Sequence, residues 1–139
     1  MKVNVDTFEA WSDAHYPRTD LCRESWLNLG GQWEFATEPT AEGLTLGWQL
    51  PGAHFSHTIC VPFPPGSPSS QWSGERSDVV WYRRRVTPEE IKDAGLADAG
   101  HRPHLLIHFE AVDFASDVWV NGLHLVHHEG GYTPFTVEI

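Results

Sequence analysis

The chain has 139 residues, 40% of them hydrophobic, 12% aromatic and 20% charged, a size that suits one domain burying roughly 68% of the surface its unfolded form exposes. The 9 Lys and Arg against 19 Asp and Glu leave a formal net charge of -10, a field that repels polyanions and argues against nucleic acid and anionic membrane surfaces as partners. With 7 Trp, 7 Phe and 3 Tyr, the chain carries more large apolar surface than a disordered segment does.

From the start, Met1-Lys2-Val3-Asn4-Val5-Asp6 lacks the apolar run of a signal peptide, and no stretch approaches the roughly 20 apolar residues that span a bilayer. A cytoplasmic protein is the expectation. Residues 1–26 read as a loosely structured lead-in strapped down by Trp11 and Trp26. Cys22 and Cys60 are the two cysteines, far apart and without CxxC spacing, so two buried thiols are a simpler reading than a disulfide framework or a metal cluster.

Short apolar or aromatic runs then alternate with Gly, Pro, Asn and Asp, which predicts strands and turns rather than helices. The expected strands are Gly31 to Thr37, Thr58 to Val61, Val79 to Val86, His104 to Glu110, Ala115 to Val120, Leu123 to His128 and Pro134 to Ile139. Between the second and third, Pro62, Pro64, Pro65, Pro68, Gly66 and Gly74 make a long loop without regular structure. Thr87-Pro88-Glu89-Glu90 opens a helix of about two turns, with a capping Thr, Pro at the first helical position and acids where the dipole favours them. Asn121-Gly122 supplies the two positive-φ residues of a type I′ turn, which predicts a hairpin. So many short antiparallel strands fit a β-sandwich or jelly roll.

Three stretches resemble the N-terminal domain of glycoside hydrolase family 2, the family of β-galactosidases, β-glucuronidases and β-mannosidases. The first is Leu29-Gly30-Gly31-Gln32-Trp33-Glu34-Phe35, with Val61-Pro62 following. The second is Val80-Trp81-Tyr82-Arg83-Arg84-Arg85-Val86. The third and most specific joins Phe109-Glu110-Ala111-Val112-Asp113-Phe114-Ala115-Ser116-Asp117-Val118-Trp119-Val120-Asn121-Gly122 to His128-Glu129-Gly130-Gly131-Tyr132-Thr133-Pro134-Phe135. The resemblance covers Leu27 to Phe135. It implies an all-β antiparallel sandwich, a jelly roll like the galactose-binding domains, usually called the sugar-binding domain, over residues 27–139. In the family this jelly roll continues past the Tyr-Thr-Pro-Phe segment, and both catalytic Glu residues lie in a later (β/α)8 barrel. The expectation is therefore a truncated, non-catalytic scaffold region of a longer glycosidase, without a cofactor. Two alternatives stay open: a free-standing carbohydrate-binding module, and a structural sandwich that self-associates through strand edges.

Each candidate site has a plainer reading beside it. Arg83 to Arg85 could clamp a carboxylated sugar, but an arginine ladder paired with local acids is the better reading. Among the nine His, His104 and His108 share a strand face, as do His124 and His128, yet four residues along a strand span roughly 13 Å, too far for one ion. No metal site is expected, and His127-His128-Glu129 is the His cluster of most interest. Glu75, Asp78, Asp113, Asp117 and Glu129 could in principle supply the two carboxyls of a glycosidase, but the family places that pair elsewhere. For sugar binding the candidates are Trp72 with Glu75, in the Pro/Ser loop, together with His128 and Tyr132. An indole can stack on a sugar's apolar face while polar neighbours take its hydroxyls; the competing reading has Trp72 docking its loop onto the core. Trp33, Trp81 and Trp119 read as core.

Overall fold

The computed structural model describes residues 23–40, 42–97 and 105–139. Trp11, Cys22, His104 and most of the expected lead-in lie outside the described residues. The strands are β1 (Gly31–Thr37), β2 (His57–Val61), β3 (Val80–Arg83), β4 (Leu106–Phe109), β5 (Ala115–Val120), β6 (Leu123–Glu129) and β7 (Phe135–Glu138), with one helix, α1 (Pro88–Asp93), between β3 and β4. Every pairing among them is antiparallel. The expected long loop is broken by one 3-10 turn, Pro68–Ser70, where the Ser67 hydroxyl accepts from Ser70 N–H.

The described residues fall into two compact units, the first drawn from 1–41 and 55–98, the second from 42–54 and 99–139. In the first, β1 is the centre of a three-stranded sheet ordered β2-β1-β3. The register sets Trp33 opposite Ile59 and Phe35 opposite both His57 and Tyr82. Period-2 alternation therefore gathers Trp33, Phe35, Ile59 and Tyr82 on one face, and the core forms there. Phe35 and Ile59 are fully buried, with Trp33, Val61 and Val80 packed beside them. The opposite face pairs charge across strands: Glu34 lies opposite Arg83, whose Nε and Nη2 donate to the two Glu34 oxygens at 2.6 and 3.0 Å. The Arg83 guanidinium also sits 4.3 Å from the Phe55 ring centroid. Arg84 pairs with Glu90 at 2.6 Å. Arg83 and Arg84 thus form the locally paired ladder, not a clamp for a ligand.

Helix α1 begins as expected. Thr87 Oγ1 accepts from Glu90 N–H at 3.2 Å while Glu90 Oε2 accepts from Thr87 N–H at 2.7 Å, the reciprocal box that satisfies two otherwise orphaned donors. Those bonds, with the neighbouring Arg84, hold the Glu90 carboxyl below the usual range against a smaller opposing effect of desolvation. Gly95, at φ +69°, ends the helix.

In the second unit β4 pairs with β7, and β5 with β6. The β5–β6 turn is Asn121 at φ 52° and Gly122 at φ 86°, the left-handed pair a type I′ turn demands. The β5–β6 register slips between Val118 and Trp119: Val118 faces Val126, but Trp119 faces His124. Leu125 is the extra residue of a β-bulge. The three strand tryptophans are half-buried, and Trp33 is packed against the core. Trp33 Nε1 donates to Leu29 O at 2.6 Å, and Trp81 Nε1 donates to the buried Glu38 carboxylate; Trp119 lies against His124 with ring centroids 5.2 Å apart. Among the described residues, no helix is long and apolar enough to cross a membrane.

Candidate functional site

In the first unit an open groove of about 440 Å³ is lined by Glu34, Phe55, Ser56, His57, Thr58, Gln71 and Trp72. The β1–β2 register supplies Glu34, His57 and Thr58, and the Pro-rich loop supplies Gln71 and Trp72. Trp72 is 8% exposed and meets Phe35 edge-on, with centroids 5.0 Å apart at 66°. Its N–H donates to the buried Ser70 Oγ at 3.3 Å, and its carbonyl accepts from Gly66 N–H at 3.1 Å. A Cβ at Gly74 would stand 2.6 Å from Trp72 Cζ2, so the backbone of the loop folds directly over the indole. Trp72 thus docks its loop onto the core, the reading set beside the stacking platform, because the apolar ring gains more by filling the sheet's core face than by facing water. Glu75, on the same loop, is exposed.

The other two candidates belong to the second unit. His128 is half-buried and stacks on Phe135 at 4.1 Å and 20°, and Phe135 stacks on Phe109 at 4.6 Å and 9°. His128 Nε2 lies 3.1 Å from Thr133 Oγ1, which donates to Gly130 O at 3.2 Å. The Thr133 hydroxyl thus lies between the imidazole and the Gly130 carbonyl. His128 therefore braces the corner after β6. Tyr132 points outward from that corner, 97% exposed, and Phe114 is 64% exposed. Gly130 N–H donates to Phe114 O at 2.8 Å, tying the two connections together. A Cβ on Gly131 would lie 2.5 Å from Asp113 Oδ1, and one on Gly130, at φ +135°, 2.4 Å from Thr133 Oγ1. The backbone angle at Gly130 favours glycine, and a side chain at 131 would require the Asp113 carboxylate to move.

The bulge corrects one sequence expectation. His124 and His128 do not share a face, because Leu125 resets the alternation and turns His124 to the side of His127 and Asp117. Asp117 Oδ1 takes both, at 2.8 Å from His124 Nε2 and 3.2 Å from His127 Nδ1. His127 Nε2 lies 3.4 Å from Glu129 Oε1. The adjacent apolar pair Leu125-Val126 interrupts the period of two and was the signal that could have revealed the bulge. His108 Nδ1 lies 2.7 Å from Thr136 Oγ1 across β4–β7. Among the described residues, no group of three or more His, Cys, Asp or Glu is placed to hold a metal ion, and Cys60 is buried.

A glycosidic general acid requires a carboxyl held above its ordinary range. Asp117 moves the other way: desolvation pulls its pKa up, but hydrogen bonds and charge from His124 and His127 outweigh it and leave the carboxyl below the usual value. Glu75 and Asp78 lie in the first unit, and Asp113, Asp117 and Glu129 in the second.

No protein-family model matches the chain. The β-glucuronidase of Felis catus is 31% identical to it over 131 residues, a match covering 89% of this chain and 19% of that protein. Among solved structures, the β-glucuronidase of Faecalibacterium prausnitzii superposes with a TM-score of 0.61 at 28% identity over 89% of this chain and 19% of that one. That of Lactobacillus rhamnosus gives 0.60 at 27% identity over 88% of this chain and 19% of that one. The chain is similar to the N-terminal domain of β-glucuronidases, which are members of glycoside hydrolase family 2. Its fold class is the antiparallel all-β sandwich of the jelly-roll kind. The chain spans about one fifth of the length of the relatives it matches.

Proposed function

We propose that this chain is the non-catalytic N-terminal scaffold, residues 27–139 behind a lead-in of 1–26, of a longer family 2 hydrolase that acts on β-glucuronides. The single observation that supports it most is the 31% identity that runs through 89% of this chain yet only 19% of a β-glucuronidase. By family resemblance the nucleophile and acid/base glutamates belong to a (β/α)8 barrel outside these 139 residues, and the enzyme retains configuration. A cytoplasmic setting is part of the same reading.

The candidate residues divide by role within this reading. Tyr132, with Phe114 beside its corner, is the exposed aromatic surface at the substrate entrance, and His128 supports it from beneath. Glu75 is a polar contact on a separate loop, and Trp72 holds that loop in place.

The product of the whole gene, assayed on nitrophenyl β-glucuronide, β-galactoside and β-mannoside, should turn over the glucuronide with the largest kcat/KM. Tyr132→Ala in that product should raise KM by about two- to tenfold, the loss of one aromatic contact, with kcat held. A preference for either neutral glycoside would overturn the substrate class, and an unchanged KM would remove Tyr132 from the entrance.

A further inference from the structure

We propose that Asp117, His124, His127 and Glu129 form a proton-dependent clasp on the β5–β6 hairpin, closed while His127 is an imidazolium and loosened when it is neutral. The proposal rests on the geometry of this one unit and does not depend on which glycoside the enzyme takes.

The bulge builds the clasp. With Leu125 extruded from the pairing, His127 sits directly opposite Asp117, and His124 sits opposite Trp119, two residues along the same face. Asp117 Oδ1 can then take a hydrogen from His124 Nε2 and from His127 Nδ1 at once. The Trp119 ring lies 5.2 Å from the His124 ring, centroid to centroid, and holds that imidazole over the hairpin. His127 is the residue that senses the proton. Its Nδ1 faces Asp117 at 3.2 Å and its Nε2 faces Glu129 at 3.4 Å. A neutral imidazole has one N–H and one lone pair, so in either tautomer one ring nitrogen would oppose a carboxylate lone pair. Only the imidazolium donates on both sides. Adjacent residues of a strand face opposite ways, so His128 and the Phe135 ring stacked on it from β7 lie on the other face. Among the described residues, the titratable groups facing His127 are thus Asp117 from β5 and His124 and Glu129 from β6.

The ionisation of the cluster agrees with this geometry. Hydrogen bonds to Asp117 and Glu129 raise the His127 pKa above the ordinary imidazole value, and Asp117 is lowered as described. A raised histidine contributes stability that is complete below its unfolded pKa and is lost as the pH rises through its folded one. A lowered carboxylate contributes stability that is present above its unfolded pKa and is lost as the pH falls through its folded one. The clasp is therefore tightest in mildly acidic solution, above the carboxylate range and below the raised value of His127. The His127, Asp117 and Glu129 side chains are 50%, 39% and 66% exposed, so added salt weakens it. β6 runs straight from His127 into the Gly130-Gly131-Tyr132 corner, and loosening the clasp frees that end of the strand.

Proton NMR of the full chain tests this by following the His127 ring resonances against pH. Its titration midpoint should move to lower pH in Asp117→Asn and in Glu129→Gln, both of which keep the native circular dichroism spectrum. Amide exchange at 126–129, corrected for the intrinsic pH dependence, should accelerate as His127 deprotonates, and that step should vanish in His127→Gln. A midpoint shared by the wild type and both carboxyl variants, or exchange without a step at the His127 midpoint, would overturn the clasp.

Discussion

Trp72→Ala should lower the unfolding free energy by about 3–5 kcal/mol, the range for removing a large aromatic side chain from a packed interior. The indole is 8% exposed and rests edge-on against Phe35, and the backbone N–H and carbonyl of Trp72 are bonded within the loop to Ser70 Oγ and Gly66 N–H. Truncation would remove the transfer free energy of the ring and leave a space the loop cannot refill, since Gly74 lies directly over it. Urea unfolding followed by far-ultraviolet circular dichroism would show the midpoint falling with little change in slope. A loss below about 1 kcal/mol, the level of an ordinary surface substitution, would mean that the indole is a free platform and that the core assignment fails.

Phe35→Ala should cost about as much, again about 3–5 kcal/mol. Phe35 is fully buried on the central strand of its sheet and touches two aromatic partners, Trp72 and Tyr82, each at 5.0 Å between centroids and tilted by 66° and 64°. Tyr82, 37% exposed, stands at the edge of the same cluster through that ring contact, and partial desolvation raises its hydroxyl above the ordinary pKa. Because Phe35 and Trp72 are in contact, the two losses should not add. The double variant should be more stable than the sum of the single effects implies, by about 0.5–3 kcal/mol. Strict additivity in that cycle would mean that the rings do not share one packed unit.

Much of the fold could be read in advance where local chemistry dictates backbone geometry. Asn121-Gly122 permits two successive left-handed residues, and the hairpin turn stands there. Thr87 and Glu90 can satisfy each other's backbone donors, and α1 starts there. The strand runs were legible because alternation of apolar and polar residues is a local pattern, and β1 and β5 have the expected bounds. Features that depend on pairing were harder to see. The groove residues Phe55, His57 and Gln71 meet Glu34 only through register and loop closure, which no short window of sequence encodes. The bulge at Leu125 moved His124 from the company of His128 to that of His127, because one extra residue reverses every side chain beyond it. Trp72 looked exposed because its neighbours are Pro, Ser and Gly, yet those residues are what lets the loop turn back and bury it.

The candidate site was legible in its residue types more than in its arrangement. Tyr132 is the exposed aromatic, and of the two glycines before it Gly130 holds a left-handed backbone angle. His128 proved to be a brace, with its Nε2 committed to Thr133 and its face to Phe135. Glu75 and Trp72 share a loop but differ entirely in burial.

The central claim is that this chain shapes a family 2 hydrolase without carrying out its chemistry. The most direct measurement is nitrophenol release from nitrophenyl β-glucuronide, β-galactoside and β-mannoside by the purified 139-residue chain. The rate should not exceed that of buffer on any of the three. Turnover of any of them that disappears when Asp113, Asp117, Glu129, Glu75 or Asp78 is replaced by its amide would contradict the account.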